Sequence, residues 1–161
     1  MHTYCVADWM SKPPILAHPT MSLNDAQHLM DEYAVRRLPV VQNERLVGII
    51  TRGDLRAAQP SSATLLSVHE WRDLLARETV GNCMTRDPIA IASDTPVLYA
   101  ARLMLLHKIS GLPVVDNGRV VGVITESDLF RLMIAESVGA DRNDARRTMP
   151  LYQLRADAAG S

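Results

Sequence analysis

Aromatic residues are scarce, at 4% of the 161-residue chain. So few rings cannot pave a groove for stacked single-stranded bases. A dominant charge is also missing: 17 Lys and Arg against 18 Asp and Glu leave a formal net charge of −1. No overall field draws such a chain to nucleic acid or to an anionic membrane surface. There is no run of 18 apolar residues, so no membrane-spanning helix is expected. The stretch from Met1 to Met10 has neither the basic start nor the apolar centre of a secretory signal. Cys5 and Cys83 are the only cysteines. Without a signal they suggest free thiols, packed as small apolar side chains in a cytoplasmic protein. His2, His18, His28, His69 and His107 show no HxxxH spacing and there is no CxxC, so no metal site is expected. A P-loop, a GxGxxG turn and a nucleophile elbow are all lacking, which leaves no signature of an enzyme.

What is present is a duplication. Residues 6–56 and 80–130 align at a constant offset of 74 without a gap, and 19 of the 51 pairs are identical. The clearest block is Leu38 to Leu55 against Leu112 to Leu129. The cysteines stand outside it, since Cys5 aligns with Thr79 and Cys83 with Trp9. Two copies of one small fold tend to pack about a pseudo-twofold axis, so a polar constellation in the repeat is expected twice. With 47% hydrophobic and 22% charged residues the chain can bury an ordinary globular core. The expected division is repeat 1 over 1–60, a helical linker over 61–79, repeat 2 over 80–138 and a polar, partly disordered tail over 139–161.

Each repeat reads as strand, helix, two strands and helix, an α+β pattern. Pro88 to Ala92 suits a short strand. Thr95 followed by Pro96 predicts a helix start, with Thr at the N-cap and Pro at the first helical position. Val97, Ala100, Ala101, Met104 and Leu105 then recur at helical spacing. In repeat 1, Ser22 with Asp25 predicts the equivalent start, followed by Leu23, Ala26, Leu29, Met30 and Tyr33. Pro39 and Pro113 are expected to stop these helices. Val40-Val41 and Val114-Val115 suit buried strands. Asn117-Gly118 predicts a hairpin turn, and Asn43-Glu44 a weaker one. Return strands are expected over 46–51 and 120–125, with helices from about Asp54 and from about Asp128 through Ala135. In the linker, Pro60-Ser61-Ser62 suggests a turn, and Ser67 with Glu70 forms a capping box ahead of Trp71, Leu74 and Leu75.

The repeated blocks are Leu-Pro-Val-Val at 38–41 and 112–115, and Gly-apolar-x-apolar-Thr-x-x-Asp at 48–54 and 122–128. Taken in register, they make the chain resemble the CBS domain in its usual tandem pair, the Bateman module. Residues 54–66 further resemble stand-alone pairs of the acetoin-utilisation B type. The resemblance implies two CBS repeats about a pseudo-twofold axis and an adenosine ligand in the cleft between them. AMP, ADP, ATP and S-adenosylmethionine share the portion these motifs address. The implied role is regulatory rather than catalytic, with no obligatory cofactor, and with ligand level reported to an unidentified partner protein by a conformational shift.

In that frame Asp54 and Asp128 can accept hydrogen bonds from ribose hydroxyls. Thr51 and Thr125 can donate to a phosphate oxygen at a helix start. Ile15, Ile89, Pro39 and Pro113 are expected to flank the base, and Gly53 to let a ligand approach the backbone. Arg52 and Arg37, set against Glu126 and the Ser110-Gly111 pair, suggest that the Thr51–Asp54 site prefers phosphate-rich ligands. Thr-x-x-Asp is equally a plain helix cap, Arg36 and Arg37 a plain solvated face, and His107 with Lys108 a helix-end charge. A second reading is a ligand-free interaction module that forms a homodimer, with Met30, Met104, Leu105 and Leu106 either on the dimer face or in the core.

Overall fold

The computed structural model describes residues 3–59 and 67–138. The expected turn at 60–62 and the tail over 139–161 lie outside the described residues. The chain forms two compact units, and each has its own core. The Thr51 unit comprises Pro14–Pro88 with the hairpin turn Asn117–Val120. The Thr125 unit comprises the N-terminal segment through Pro13, then Ile89–Asp116, and the chain from Val121 on.

In the Thr51 unit, α2 (Leu23–Glu32) starts as its sequence dictates: the Ser22 hydroxyl accepts from the Asp25 amide at 3.0 Å. Leu23, Ala26 and Met30 are buried on one face of it. The chain then forms β1 (Arg37–Gln42) and β2 (Arg45–Thr51), an antiparallel pair. Asn43 and Glu44 both have positive φ, 51° and 62°, the geometry of a two-residue hairpin turn. Val40 faces Gly48 while Val41 faces Leu46, so Val47 is the extra residue of a bulge. Next come α3 (Arg52–Ala57), α4 (Val68–Arg77, capped by Ser67 and Glu70), α5 (Val80–Cys83) and β3 (Thr85–Arg86). β3 pairs antiparallel with β2. Ala17 bridges β1 on its other side, its amide bonded to the Pro39 carbonyl and its carbonyl accepting from the Val41 amide. That bridge needs no amide from Pro39, so a proline is tolerated inside a buried strand.

The Thr125 unit repeats the plan. It contains α1 (Val6–Trp9), α6 (Val97–His107), β4 (Gly111–Asp116), β5 (Arg119–Thr125) and α7 (Glu126–Val138). Ile91 bridges β4 as Ala17 bridges β1, through the Pro113 carbonyl and the Val115 amide. Ser11 pairs with Val123 in β5, as Thr85 pairs with Ile49 in β2.

These pairings reveal an exchange. Within each repeat the leading short helix and strand do not pack with the strands that follow in sequence. Val6, Trp9 and Met10, from the start of repeat 1, are core residues beside Leu112, Val114 and Ile124 of repeat 2. Val80 and Met84, from the start of repeat 2, lie in the core with Leu38, Val40 and Ile50 of repeat 1. The exchanged segment also supplies the first hydrogen bond of the next helix. The Leu23 amide donates to the Glu78 carbonyl at 3.0 Å, and the Val97 amide donates to the Tyr4 carbonyl at 2.9 Å. Complete burial of side chains such as Leu23, Leu38, Ile50, Leu112 and Ile124 stabilises each unit by about 1.5–3 kcal/mol per residue.

Three expectations need correction, and one left open is settled. Thr95 is not the cap of α6: Pro96 occupies that position in extended geometry, without a side-chain bond, and the Tyr4 carbonyl meets the free amide of Val97 instead. Pro88–Ala92 forms only the single bridge at Ile91. Pro39 and Pro113 lie within strands, beyond the points where the helices end. The stop comes earlier, at Ala34 and Lys108, both at φ 53°. The Val35 amide there reaches the Met30 carbonyl at 2.9 Å and the Ile109 amide reaches Met104 at 3.0 Å, a Schellman closure usually made with glycine. Met30 and Met104 are 0% and 3% exposed and belong to the cores, whereas Leu105 and Leu106 are exposed.

The glycine that opens each repeated block has a packing reason. A Cβ on Gly48 would overlap the Met84 sulfur and lie 2.9 Å from the Thr85 carbonyl oxygen. One on Gly122 would meet the Met10 sulfur at 2.6 Å and the Ser11 carbonyl at 2.9 Å. Each glycine thus admits the exchanged segment. Gly48→Ala should cost about 1–3 kcal/mol in urea denaturation. Gly53→Ala, whose Cβ would meet only the Thr51 hydroxyl at 3.4 Å, should be neutral or gain up to about 1 kcal/mol. Equal effects would contradict this account. Ala34→Gly should stabilise by about 1 kcal/mol by relieving a left-handed alanine, read as a raised Tm.

Candidate functional site

Each unit ends its second hairpin strand in a threonine and begins a helix at the next residue. In the Thr51 unit, Thr51 is extended, and its hydroxyl accepts from the Asp54 amide at 3.2 Å. The Asp54 carboxylate answers: Oδ2 accepts from the Thr51 amide at 2.8 Å and from its hydroxyl at 2.9 Å. Oδ1 of Asp54 has no hydrogen-bond partner among the described residues, and the residue is half-buried. The Arg52 amide donates to the Arg36 carbonyl at 2.9 Å, and Thr51 stands opposite Arg37 in the strand register. The block is therefore fixed to the start of β1.

The Thr125 unit reproduces this geometry. Asp128 Oδ2 accepts from the Thr125 amide at 2.8 Å and from its hydroxyl at 2.9 Å, and the Glu126 amide donates to the Ser110 carbonyl at 3.1 Å. Its surroundings differ. Asp128 is 2% exposed, the one buried charged residue among the described ones. Arg131, one helical turn on, donates to its Oδ1 at 2.7 Å. Burial pushes the Asp128 carboxyl above its ordinary value, and the Thr125 hydrogen bonds and the Arg131 charge only partly oppose this. A carboxyl raised in this way adds stability at acid pH that is lost as pH rises through its folded value. At neutral pH the buried charge is a cost.

The remaining expected residues divide by unit. Around the Thr51 block, Arg37 is half-buried, and Arg52 pairs with Asp31 at 2.6 Å, which already engages the cation expected to meet a phosphate. Ile15 is half-buried against the core of the Thr51 unit and Ile89 against that of the Thr125 unit. Pro39, Pro113 and Gly111 are buried. Cys83 is half-buried; burial, then the charges of Glu78 and Asp54, raise its thiol pKa and keep it protonated at neutral pH. Sequence reading missed Arg131. Its i, i+3 spacing from Asp128 was the available signal. It also missed Leu98, Phe130, Met133 and Ile134, which are 59–74% exposed on α6 and α7.

Chemically, each block is a carboxylate held rigidly by its own backbone, beside a hydroxyl and a helix start. Such a group can accept hydrogen bonds from a polyol. Among the described residues no helix is long and apolar enough to cross a membrane.

Many solved structures are similar to the chain, among them the three that follow. The CBS domain pair of protein MJ0100, in complex with 5′-methylthioadenosine and S-adenosyl-L-methionine, is 35% identical with a TM-score of 0.70, covering 84% of this chain and 99% of that one. An acetoin utilization protein (AcuB) from Vibrio cholerae is 34% identical at TM-score 0.68, covering 83% and 92%. CBSX2 in complex with AMP is 30% identical at TM-score 0.68, covering 81% and 97%. Among curated relatives, the L-aspartate semialdehyde sulfurtransferase of Methanocaldococcus jannaschii is 36% identical over 129 residues, but that match spans 79% of this chain and only 23% of the relative. The CBS domain model matches residues 6–61 and 80–135, which contain the two stretches that the internal alignment picks out. The chain belongs to the CBS-domain family and carries the domain as a tandem pair.

Proposed function

We propose that the chain is a regulatory module that binds an adenosine-containing ligand through its Thr-x-x-Asp blocks and passes the bound state to a protein partner. The observation that carries this reading is Asp54 Oδ1, which has no hydrogen-bond partner among the described residues and is held in place because Oδ2 is fixed to Thr51. A single carboxylate oxygen has two lone pairs, enough for both hydroxyls of a ribose. Two similar CBS pairs are described in complex with adenosine compounds, which supports the choice of ligand. AMP, ADP, ATP and S-adenosylmethionine all satisfy this chemistry. Thr51 and the first amides of α3 would face a phosphate or the 5′ substituent, with Arg37 and Ile15 as neighbours from the same unit. The function proposed is binding without turnover. Signalling follows if ligand favours one conformation of the module over another.

A second reading, compatible with the first, rests on the apolar exposure of α6 and α7. Leu98, Leu105 and Leu106 are 74–80% exposed, and Phe130, Met133 and Ile134 are 59–63% exposed. At the same places in repeat 1 stand Asn24, Asp31, Glu32, Arg56, Gln59 and Pro60. Large apolar exposure concentrated on two helices of one repeat marks an interaction face, and we read it as the face of a homodimer.

Isothermal calorimetry with AMP, ATP and S-adenosylmethionine tests the first reading. Hydrogen bonds to a charged acceptor contribute about 1.5–3 kcal/mol, so Asp54→Ala should weaken binding by about 10- to 100-fold. The same carboxylate caps α3, so Asp54→Ala should also lose about 1 kcal/mol of stability. Asp54→Asn keeps the cap acceptor and separates the two effects. Unchanged affinity in both variants would refute the assignment. Sedimentation velocity tests the second reading: the wild type should be dimeric at micromolar concentration and Leu105→Glu/Leu106→Glu monomeric. A wild type that stays monomeric, or a variant that stays dimeric, would refute it.

A further inference from the structure

We infer that Arg131 is a latch on the second block, so that the two repeats, nearly identical in motif, are unequal binding sites and ligand takes Asp54 first. The inference rests on the adenosine-binding reading above and assigns each block its part in it.

The inequality lies in how the carboxylates are used. In both blocks Oδ2 is saturated by the threonine amide and hydroxyl. A diol must therefore use Oδ1. In Asp54 that oxygen has no partner among the described residues, and the residue is half-buried. In Asp128 it is held by the Arg131 guanidinium at 2.7 Å, and the residue is 2% exposed. One lone pair of Oδ1 is taken, and the solvent approach is shut.

The difference is written in the sequence at one position. With the offset of 74, Arg131 corresponds to Ala57, which is exposed and has no side-chain donor. Both stand three residues after their aspartate, where a helical side chain reaches back to it. The Arg131 side chain is itself 37% exposed, so it can swing into water. That movement leaves the Asp128 charge buried without its partner, which makes opening costly. A latch of this kind can be released, unlike a filled core.

Calorimetry with AMP on the full chain tests the inference, because stoichiometry and affinity are read together. Wild type should bind one equivalent tightly, with a second at least tenfold weaker or absent. Arg131→Ala should bring the second equivalent to within about threefold of the first. Arg131→Ala also destabilises the fold by leaving the buried Asp128 charge unpaired, so the reciprocal variant Ala57→Arg, at an exposed position, provides an independent reading. It should weaken the first equivalent at least tenfold while leaving the melting temperature unchanged. Two equal sites in wild type, or an Ala57→Arg variant that binds like wild type, would overturn the latch. If neither AMP, ATP nor S-adenosylmethionine binds folded wild type or folded Arg131→Ala, the binding reading itself falls, and the latch with it.

Discussion

Within each repeat a strand ends and a helix begins at one carboxylate. Oδ2 of the aspartate takes both the amide and the hydroxyl of the threonine three residues earlier, while the threonine oxygen takes the aspartate amide in the Thr51 block. This reciprocal cap satisfies donors that the strand has stopped using and the helix has not yet begun to use. It also fixes the carboxylate against its own main chain. The other oxygen is then left for something else, and its surroundings distinguish the two halves of the molecule: no partner among the described residues at Asp54, and a guanidinium at Asp128. In the proposed reading, capping and ligand binding are two uses of one group.

The second constraint is the close approach of backbones at Gly48 and Gly122. Without side chains there, a segment from the opposite repeat can pair with the hairpin and insert a methionine into its core. This exchange gives each unit its fourth extended segment and caps its first helix with a foreign carbonyl. Neither repeat is complete without the first few residues of the other. A duplication that arose as two linked copies is thereby tied into one dependent structure.

Much of this was legible in the sequence. The constant offset gave both repeats, Asn117-Gly118 and Asn43-Glu44 gave the hairpins, and Ser22 and Ser67 gave two helix starts. These signals are local, and the local chemistry decides them. The exchange was not legible: a four-residue helix and a two-residue strand carry too little pattern to reveal which core they enter. The helix stops at Ala34 and Lys108 were hidden for a related reason, since neither residue favours the left-handed conformation it adopts and only the surrounding packing holds it there. Thr95 misled because a proline next to a threonine looks like a cap, whereas the Tyr4 carbonyl had already met that donor. Within the site, the motif aspartates were readable but their environments were not. Arg52 was expected to await a phosphate and is paired with Asp31, while Arg131 drew no notice and sits on Asp128.

The apolar surface of α6 and α7 shows how duplicated halves diverge. Where repeat 1 has Asp31 and Glu32, repeat 2 has Leu105 and Leu106, and Arg131 stands at the position of Ala57. The first pair of changes suits one repeat to association. The second closes its carboxylate. In this account one repeat senses and the other joins, a division of labour within a single fold. The most direct measurement is a crystal structure of the chain grown with excess AMP. The account predicts both ribose hydroxyls on Asp54 Oδ1, with Arg131 still seated on Asp128. A ribose bound away from Asp54, or Asp54 turned from a ligand that is plainly present, would contradict it.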